Sequence, residues 1–394
     1  MHEKGRRHLL AAVIAAVALL AGCGGGDDDV APKVAVSRVV VAGDSLADVG
    51  TFGGIKFGVQ NSADPANGFP GFTQIVAQNF GVNGQCNFFL FNGTTFVPNS
   101  RAGCTNFAIG GGRVVVPAAE GGASNPQSVP TQLATAAQVV GGRYTATDLV
   151  LVVGGGNDSG DLLQAFLGAG TGAAGVANYQ AFLAQQLSPQ TIAATLPQPN
   201  GAAAAAVLYM KTLADTYYDA VKVNALDKGA THVAVLDVPD ISLTPRIQAV
   251  LTGVVAPANG GGAAGAAAAA AVQALIRQWT DAFNTELRAR VAGDTRVAVV
   301  PFNADFTEEV THAADFGLSN VSTPSCRVVG VEFFDSPAEA ARCTSAALDA
   351  NPPAGLAPGW WRTWAFADGF HPTPFGHQLL AASVNRALAR AGWL

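Results

Sequence analysis

Five short runs of apolar, largely β-branched residues set the frame: Ser37 to Ala42, Cys104 to Ile109, Asp148 to Val153, His232 to Val238 and Val297 to Pro301. Asp-Leu-Val-Leu-Val-Val at 148–153 is a continuous apolar run, the pattern of a strand buried on both faces. Stretches with helical spacing lie between or after these runs: Phe72–Phe80, Gln132–Val140, Ala202–Leu226, Ala263–Val291 and Pro374–Ala391. Strands about 40 to 80 residues apart and separated by helices predict a parallel sheet covered on both faces. Right-handed crossovers then make a three-layer α/β/α sandwich around a five-stranded parallel sheet. No repeat and no second boundary interrupts residues 37–394, so one domain is expected there. Residues 54–103, 158–200 and 303–362 are expected to be long irregular insertions that shape a cleft at the sheet's carboxyl edge.

The N-terminus carries an address. His2-Glu3-Lys4-Gly5-Arg6-Arg7 is a positive segment, and Leu9 to Leu20 is an apolar segment too short to span a bilayer. It ends in Leu20-Ala21-Gly22-Cys23, which resembles the lipobox of bacterial lipoproteins. That resemblance implies a signal peptide over 1–22, lipidation of Cys23 and a membrane partner reached through the lipid. Residues 23–36, opening on Gly24-Gly25-Gly26-Asp27-Asp28-Asp29, are then a flexible tether. Gly24 after the cysteine implies outer-membrane or surface sorting. The plainer alternative is an ordinary secretory signal and a periplasmic or secreted protein.

Cys86, Cys104, Cys326 and Cys343 remain, an even number in an exported chain. Sequence-local pairing gives disulfides Cys86–Cys104 and Cys326–Cys343. A net charge of −6 and no basic patch argue against a nucleic-acid partner.

Four segments sit just after predicted strands or in the C-terminal loop. They are Gly43-Asp44-Ser45-Leu46, Asn106-Phe107-Ala108-Ile109-Gly110-Gly111-Gly112, Gly154-Gly155-Gly156-Asn157-Asp158, and Asp368-Gly369-Phe370-His371. The carboxyl edge of an open α/β sheet is where ligands bind. Acyl transfer needs a nucleophile, which Ser45 offers at the first turn of a following helix, and a base, which His371 offers. It needs a group holding that base in one tautomer, and Asp368 is three residues away. It needs donors for an oxyanion: the Ser45 N–H, a backbone N–H of a glycine loop such as Gly111, and the Asn157 side chain.

Together these segments resemble the SGNH, or GDSL, hydrolases, a family of esterases and lipases. Their order matches, and the likeness runs over residues 38–394. The strings Asn-Phe-Ala-Ile-Gly-Gly and Asp-Gly-Phe-His-Pro-Thr resemble the bacterial phospholipase and lecithinase-like branch. The resemblance implies Ser45 as nucleophile, Asp368 and His371 as its relay, and Ser45, Gly111 and Asn157 as the oxyanion hole. Because three glycines run together, Gly110 and Gly112 stay open as donors. The implied fold is flavodoxin-like, with strand order 2-1-3-4-5. No cofactor and no metal is expected.

Each residue has a plainer reading. Ser45, Asn157 and Asp158 can cap helices, Asp368 and His371 can be a loop pair, and Gly110–Gly112 can be a turn. His377 is the rival base but has no acid three residues ahead. Asp44 and Asp158 are expected to organise turns through side-chain to backbone hydrogen bonds. The expected protein is an exported serine hydrolase of carboxylic, fatty-acyl esters. The aromatic runs Phe88–Phe91, Phe333-Phe334 and Trp360-Trp361 are candidates either for an acyl pocket or for ordinary core. Acyltransfer to an alcohol and carbohydrate deacetylation are rivals on the same machinery. A non-catalytic, ligand-binding surface lipoprotein is the rival from another class.

Overall fold

The β-branched runs form the sheet where they were expected, with one exception. In the computed structural model, which describes residues 34–394, the strands are β1 Arg38–Ala42, β2 Phe89–Phe91, β3 Phe96–Pro98, β4 Asp148–Val152, β5 Val233–Leu236 and β6 Val297–Val300. The predicted signal peptide, Cys23 and the tether through residue 33 lie outside the described residues. Val34 and Val36, both assigned to the tether, pack against the core, so the chain meets it three residues earlier than expected. The main sheet is parallel throughout, in the order β1-β4-β5-β6.

Four strands stand where five were expected. Residues 104–109 do run beside the outer edge of β1, as the implied order requires. The Val41 N–H donates to Thr105 O at 2.9 Å, and the Phe107 N–H donates to Val41 O at 2.7 Å. A regular ladder would next send the Gly43 N–H to Phe107 O. Instead it donates to the buried carboxamide oxygen of Gln132 at 2.7 Å, and the segment keeps a single bridge to β1, Val41 to Asn106. A side chain has taken the donor that a second bridge needs.

The helices are α1 Phe72–Asn79, α2 Val129–Val139, α3 Gly156–Ala169, α4 Ala173–Leu183, α5 Pro189–Thr195, α6 Gly201–Asn224, α7 Pro245–Val250, α8 Gly262–Val291, α9 Phe302–Thr311, α10 Pro337–Arg342, α11 Ser345–Ala350 and α12 Pro374–Arg390. Alternate residues of each central strand face opposite layers. Val40, Ala42, Val150, Val152, Val233 and Val235 join α2, α3, α4, α6 and α8 in one core. Val39, Val41, Leu149, Leu151, Ala234 and Leu236 meet α1 and α12 in the other. Trp279 and Phe283 of α8 are wholly buried, each contributing about 1.5–3 kcal/mol of apolar burial.

The predicted insertions are more ordered than expected. Residues 158–200 hold most of α3 together with α4 and α5, whose glycines and short caps hide the helical spacing in the sequence. Residues 303–362 hold α9 to α11, and residues 54–103 hold the β2–β3 hairpin. A third core, with Trp360, Trp361, Phe57 and Phe334, forms around the Cys326–Cys343 disulfide. Cys86 bonds Cys104 with an S–S length of 2.02 Å. Both expected pairings are therefore present, as suits an oxidising compartment.

Candidate active site

β1 ends at Ala42, and Gly43 and Asp44 carry the chain across the sheet's carboxyl edge. Asp44 Oδ1 accepts the Leu46 N–H at 3.0 Å, and Asp44 O accepts the Ala47 and Asp48 N–H groups at 3.1 and 3.0 Å. This closes one tight turn, not the helix expected after Ser45; the next helix begins at Phe72. The turn presents the Ser45 hydroxyl to the cavity, and the Ser45 N–H has no acceptor among the described residues.

His371 arrives from the loop before α12. Its Nε2 lies 2.8 Å from Ser45 Oγ. Its Nδ1 lies 3.0 and 2.9 Å from the two carboxylate oxygens of Asp368. An ionised carboxylate only accepts, so Nδ1 carries the proton and Nε2 is left to accept the serine O–H. Asp368 is fixed in turn by the N–H groups of Phe370, His371 and Phe334 at 2.8, 2.6 and 2.7 Å. Burial alone would raise its pKa. The His371 charge and hydrogen bonds, with the Phe370 N–H, outweigh burial and hold it below the usual carboxylate range. The imidazole is clamped between Phe57 and Phe334, at centroid distances of 5.3 and 5.6 Å.

The three glycines of the loop differ in what their N–H groups meet. The Gly110 N–H is taken by Asp48 Oδ2 at 2.9 Å, and the Gly112 N–H by Ile109 O at 2.9 Å. Only the Gly111 N–H lacks an acceptor among the described residues, and Gly111 lines the same cavity as Ser45. Gly111 has φ +77°, a left-handed conformation that suits glycine. Gly112 is required differently, since a Cβ there would lie 2.5 Å from Gly43 O. Asn157 is the second residue of α3, and one Nδ2 hydrogen donates to Gly112 O at 2.8 Å. The other remains for a ligand oxygen, at a helix N-terminus that favours developing negative charge. All five predicted residues thus meet in one place.

Two buried carboxylates, Asp48 and Asp158, hold these loops together. Asp48 accepts the N–H groups of Gly50 and Thr51 through Oδ1 as well as that of Gly110. Asp158 does bond backbone N–H groups, as expected, but distant ones: it accepts the Val114 and Val115 N–H groups, both at 2.9 Å, from the chain after the glycine loop. Burial raises Asp44 to about 6 and Asp158 to about 7, against the pull of these hydrogen bonds. Backbone donors engage all three carboxylates, and among the described residues no group of three or more His, Cys, Asp or Glu could hold a metal ion. His377 is buried, its Nδ1 accepting from the Phe72 N–H at 3.4 Å, and burial lowers it to about 3. It bonds α1 and makes no hydrogen bond to Ser45.

Ser45, Gly111, Asn157 and His371 open onto a cavity of about 660 Å³. Its walls come from both helical layers: Leu163 and Leu167 of α3, Ile247 of α7, Phe306 of α9, and Leu379 of α12. The aromatic runs divide between core and cavity. Trp360 and Trp361 are core, Phe88 and Phe89 pack on Phe107, and Phe334 reaches the cavity. Phe333 lies under the guanidinium of Arg246 at the rim.

A family model described as GDSL-like Lipase/Acylhydrolase matches residues 39–384. Comparison with curated proteins finds no match.

Proposed function

The chain belongs to the GDSL-like lipase/acylhydrolase family, and from that membership we propose that it is an exported serine esterase acting on fatty-acyl esters. Ser45 attacks the ester carbonyl while His371 Nε2 takes its proton. Asp368 steadies the imidazolium, and the N–H groups of Ser45 and Gly111 with the Asn157 amide hold the oxyanion. The proton then passes to the departing alcohol. Water, deprotonated by the same histidine, releases the acid and restores Ser45. The observation that carries this reading is the 2.8 Å contact between Ser45 Oγ and a His371 ring already fixed by Asp368.

The apolar walls support an acyl chain over a sugar, and so favour esterase or lipase action over carbohydrate deacetylation. The two disulfides and the leader support export. Lipidation of Cys23 is proposed with it. The test is hydrolysis of p-nitrophenyl acetate through palmitate by native protein and Ser45→Ala. Turnover that peaks above acetate and vanishes in the variant supports the reading; equal turnover in both removes it. Metabolic labelling with palmitate, lost in Cys23→Ala, checks the anchor.

A further inference from the structure

One wall of the cavity has no part in the chemistry above. It lies between α9 and α12, where Phe302, Phe306, Val310, Leu318 and Leu379 present only carbon. Glu309 of α9 lines the cavity among them and is 8% exposed. Its carboxyl has no hydrogen-bond or ion-pair partner among the described residues. Two charged groups lie near it, Asp305 on its own helix and Arg386 on α12. They are committed to each other at 2.8 Å, and Asp305 also accepts the Ser383 hydroxyl.

The carboxyl oxygens are open to the cavity and unpaired, so they can bond a polar group that a ligand brings in. Burial, and next the charge of Asp305, raise the Glu309 carboxyl to about 7, with Arg386 opposing. Near neutrality it therefore both accepts and donates. We propose that Glu309 is a specificity-determining residue of this wall, selecting acyl chains that carry a hydroxyl group for ester cleavage at Ser45.

The inference rests on the esterase reading of Ser45. A hydroxyl needs only one good partner when it leaves water, and Glu309 supplies it. An ammonium would have to shed most of its hydration against phenyl and alkyl walls, with Arg386 close by, and a single carboxylate does not compensate for that. A plain alkyl chain fits the walls but leaves Glu309 unpaired.

The experiment compares methyl esters of hexanoic, octanoic and decanoic acids with counterparts hydroxylated at carbon 3 or at the chain end. Amine-terminated esters are run beside them. Acid release is followed with native protein, Glu309→Gln and Glu309→Leu, and a fluorophosphonate probe reports whether Ser45 is reactive. Native protein should prefer one hydroxylated ester over its plain partner. In Glu309→Leu that ratio of kcat/KM should fall about tenfold, through better turnover of the plain ester as well as loss on the hydroxylated one. Glu309→Gln, which keeps a hydrogen-bonding side chain, should retain most of the preference.

Equal ratios in native protein and Glu309→Leu, with plain esters still hydrolysed, overturn the inference and leave the esterase reading standing. A preference for the amine-terminated esters overturns the hydroxyl assignment. No turnover at all, with Ser45 unlabelled, overturns both.

Discussion

Asp48 Oδ2 accepts the Gly110 N–H at 2.9 Å, tying the turn that presents Ser45 to the loop that presents Gly111. The same carboxylate takes two more N–H groups through its other oxygen. One buried side chain thus sets the spacing between the proposed nucleophile and an oxyanion donor. Asp48→Asn puts an NH₂ group against at least one of those donors, and an unsatisfied buried pair costs about 1–3 kcal/mol. Melting temperature and kcat should both fall, with little change in Ser45 accessibility to small probes. Unchanged kcat would show that the spacing does not depend on Asp48.

The oxyanion assignment predicts two distinct losses. Asn157→Ala should lower kcat on the order of 10² to 10³ with KM little changed, the signature of a donor used in the transition state. Gly111→Ala forces a side chain into φ +77° and sets its Cβ 3.0 Å from Gln127 Nε2. It should cost about 1–2 kcal/mol of stability from the left-handed conformation and lower kcat as the loop shifts. A substitution at Gly110 that matched the Gly111 effect on kcat at full stability would move the donor.

Glu309 also makes a prediction about pH and stability. Its folded-state pKa is raised to about 7, above that of the unfolded chain. The folded state therefore holds its proton more tightly. The stabilisation is fully present below the unfolded pKa, near 4.3, and is lost as pH rises toward 7. Asp44 and Asp158, also raised, act in the same direction. Below pH 6.5 the buried His377 acts in the opposite direction, so the melting temperature should fall between pH 6.5 and pH 8, and Glu309→Gln should flatten part of that fall. A native curve that rises over this range would contradict the buried, protonated state.

The Cys86–Cys104 disulfide braces the edge segment that leads to Gly111. The Asn106 N–H donates to Cys86 O at 3.1 Å, and the Phe88 N–H donates to Asn106 O. Closing a loop of this size contributes about 3 kcal/mol in the chain-entropy account. Replacing both cysteines by serine should lower the unfolding free energy by that order in a urea titration. Activity should fall more steeply with temperature than in native protein.

Much of this was legible before any coordinates. β4 and β5 are unbroken apolar runs, which only a sheet covered on both sides buries. Ser45, Asn157 and His371 could be found because acyl transfer restricts the residue types that serve it, and they follow strands or close the chain. What escaped was set by long-range contacts. The fifth strand fails because Gln132, 89 residues away, takes the Gly43 N–H. Gly111 was implied by the resemblance, but what sets it apart from Gly110 and Gly112 is the distant acceptor on Gly110 and the local one on Gly112. Asp48 and Asp158 look like turn residues, and their partners lie 62 and 44 residues away. α3 escaped because its glycines weaken the local helical signal while Leu162 and Leu163 pack into the core.

The central claim is that the Ser45 hydroxyl, 2.8 Å from His371, is an activated nucleophile. The most direct measurement is treatment of folded protein with a fluorophosphonate, followed by peptide mass spectrometry. The account predicts one adduct, on Ser45, formed at a rate that drops sharply in His371→Ala and disappears in Ser45→Ala. A folded protein that stays unlabelled at Ser45, or labels there equally fast without the histidine, would contradict it.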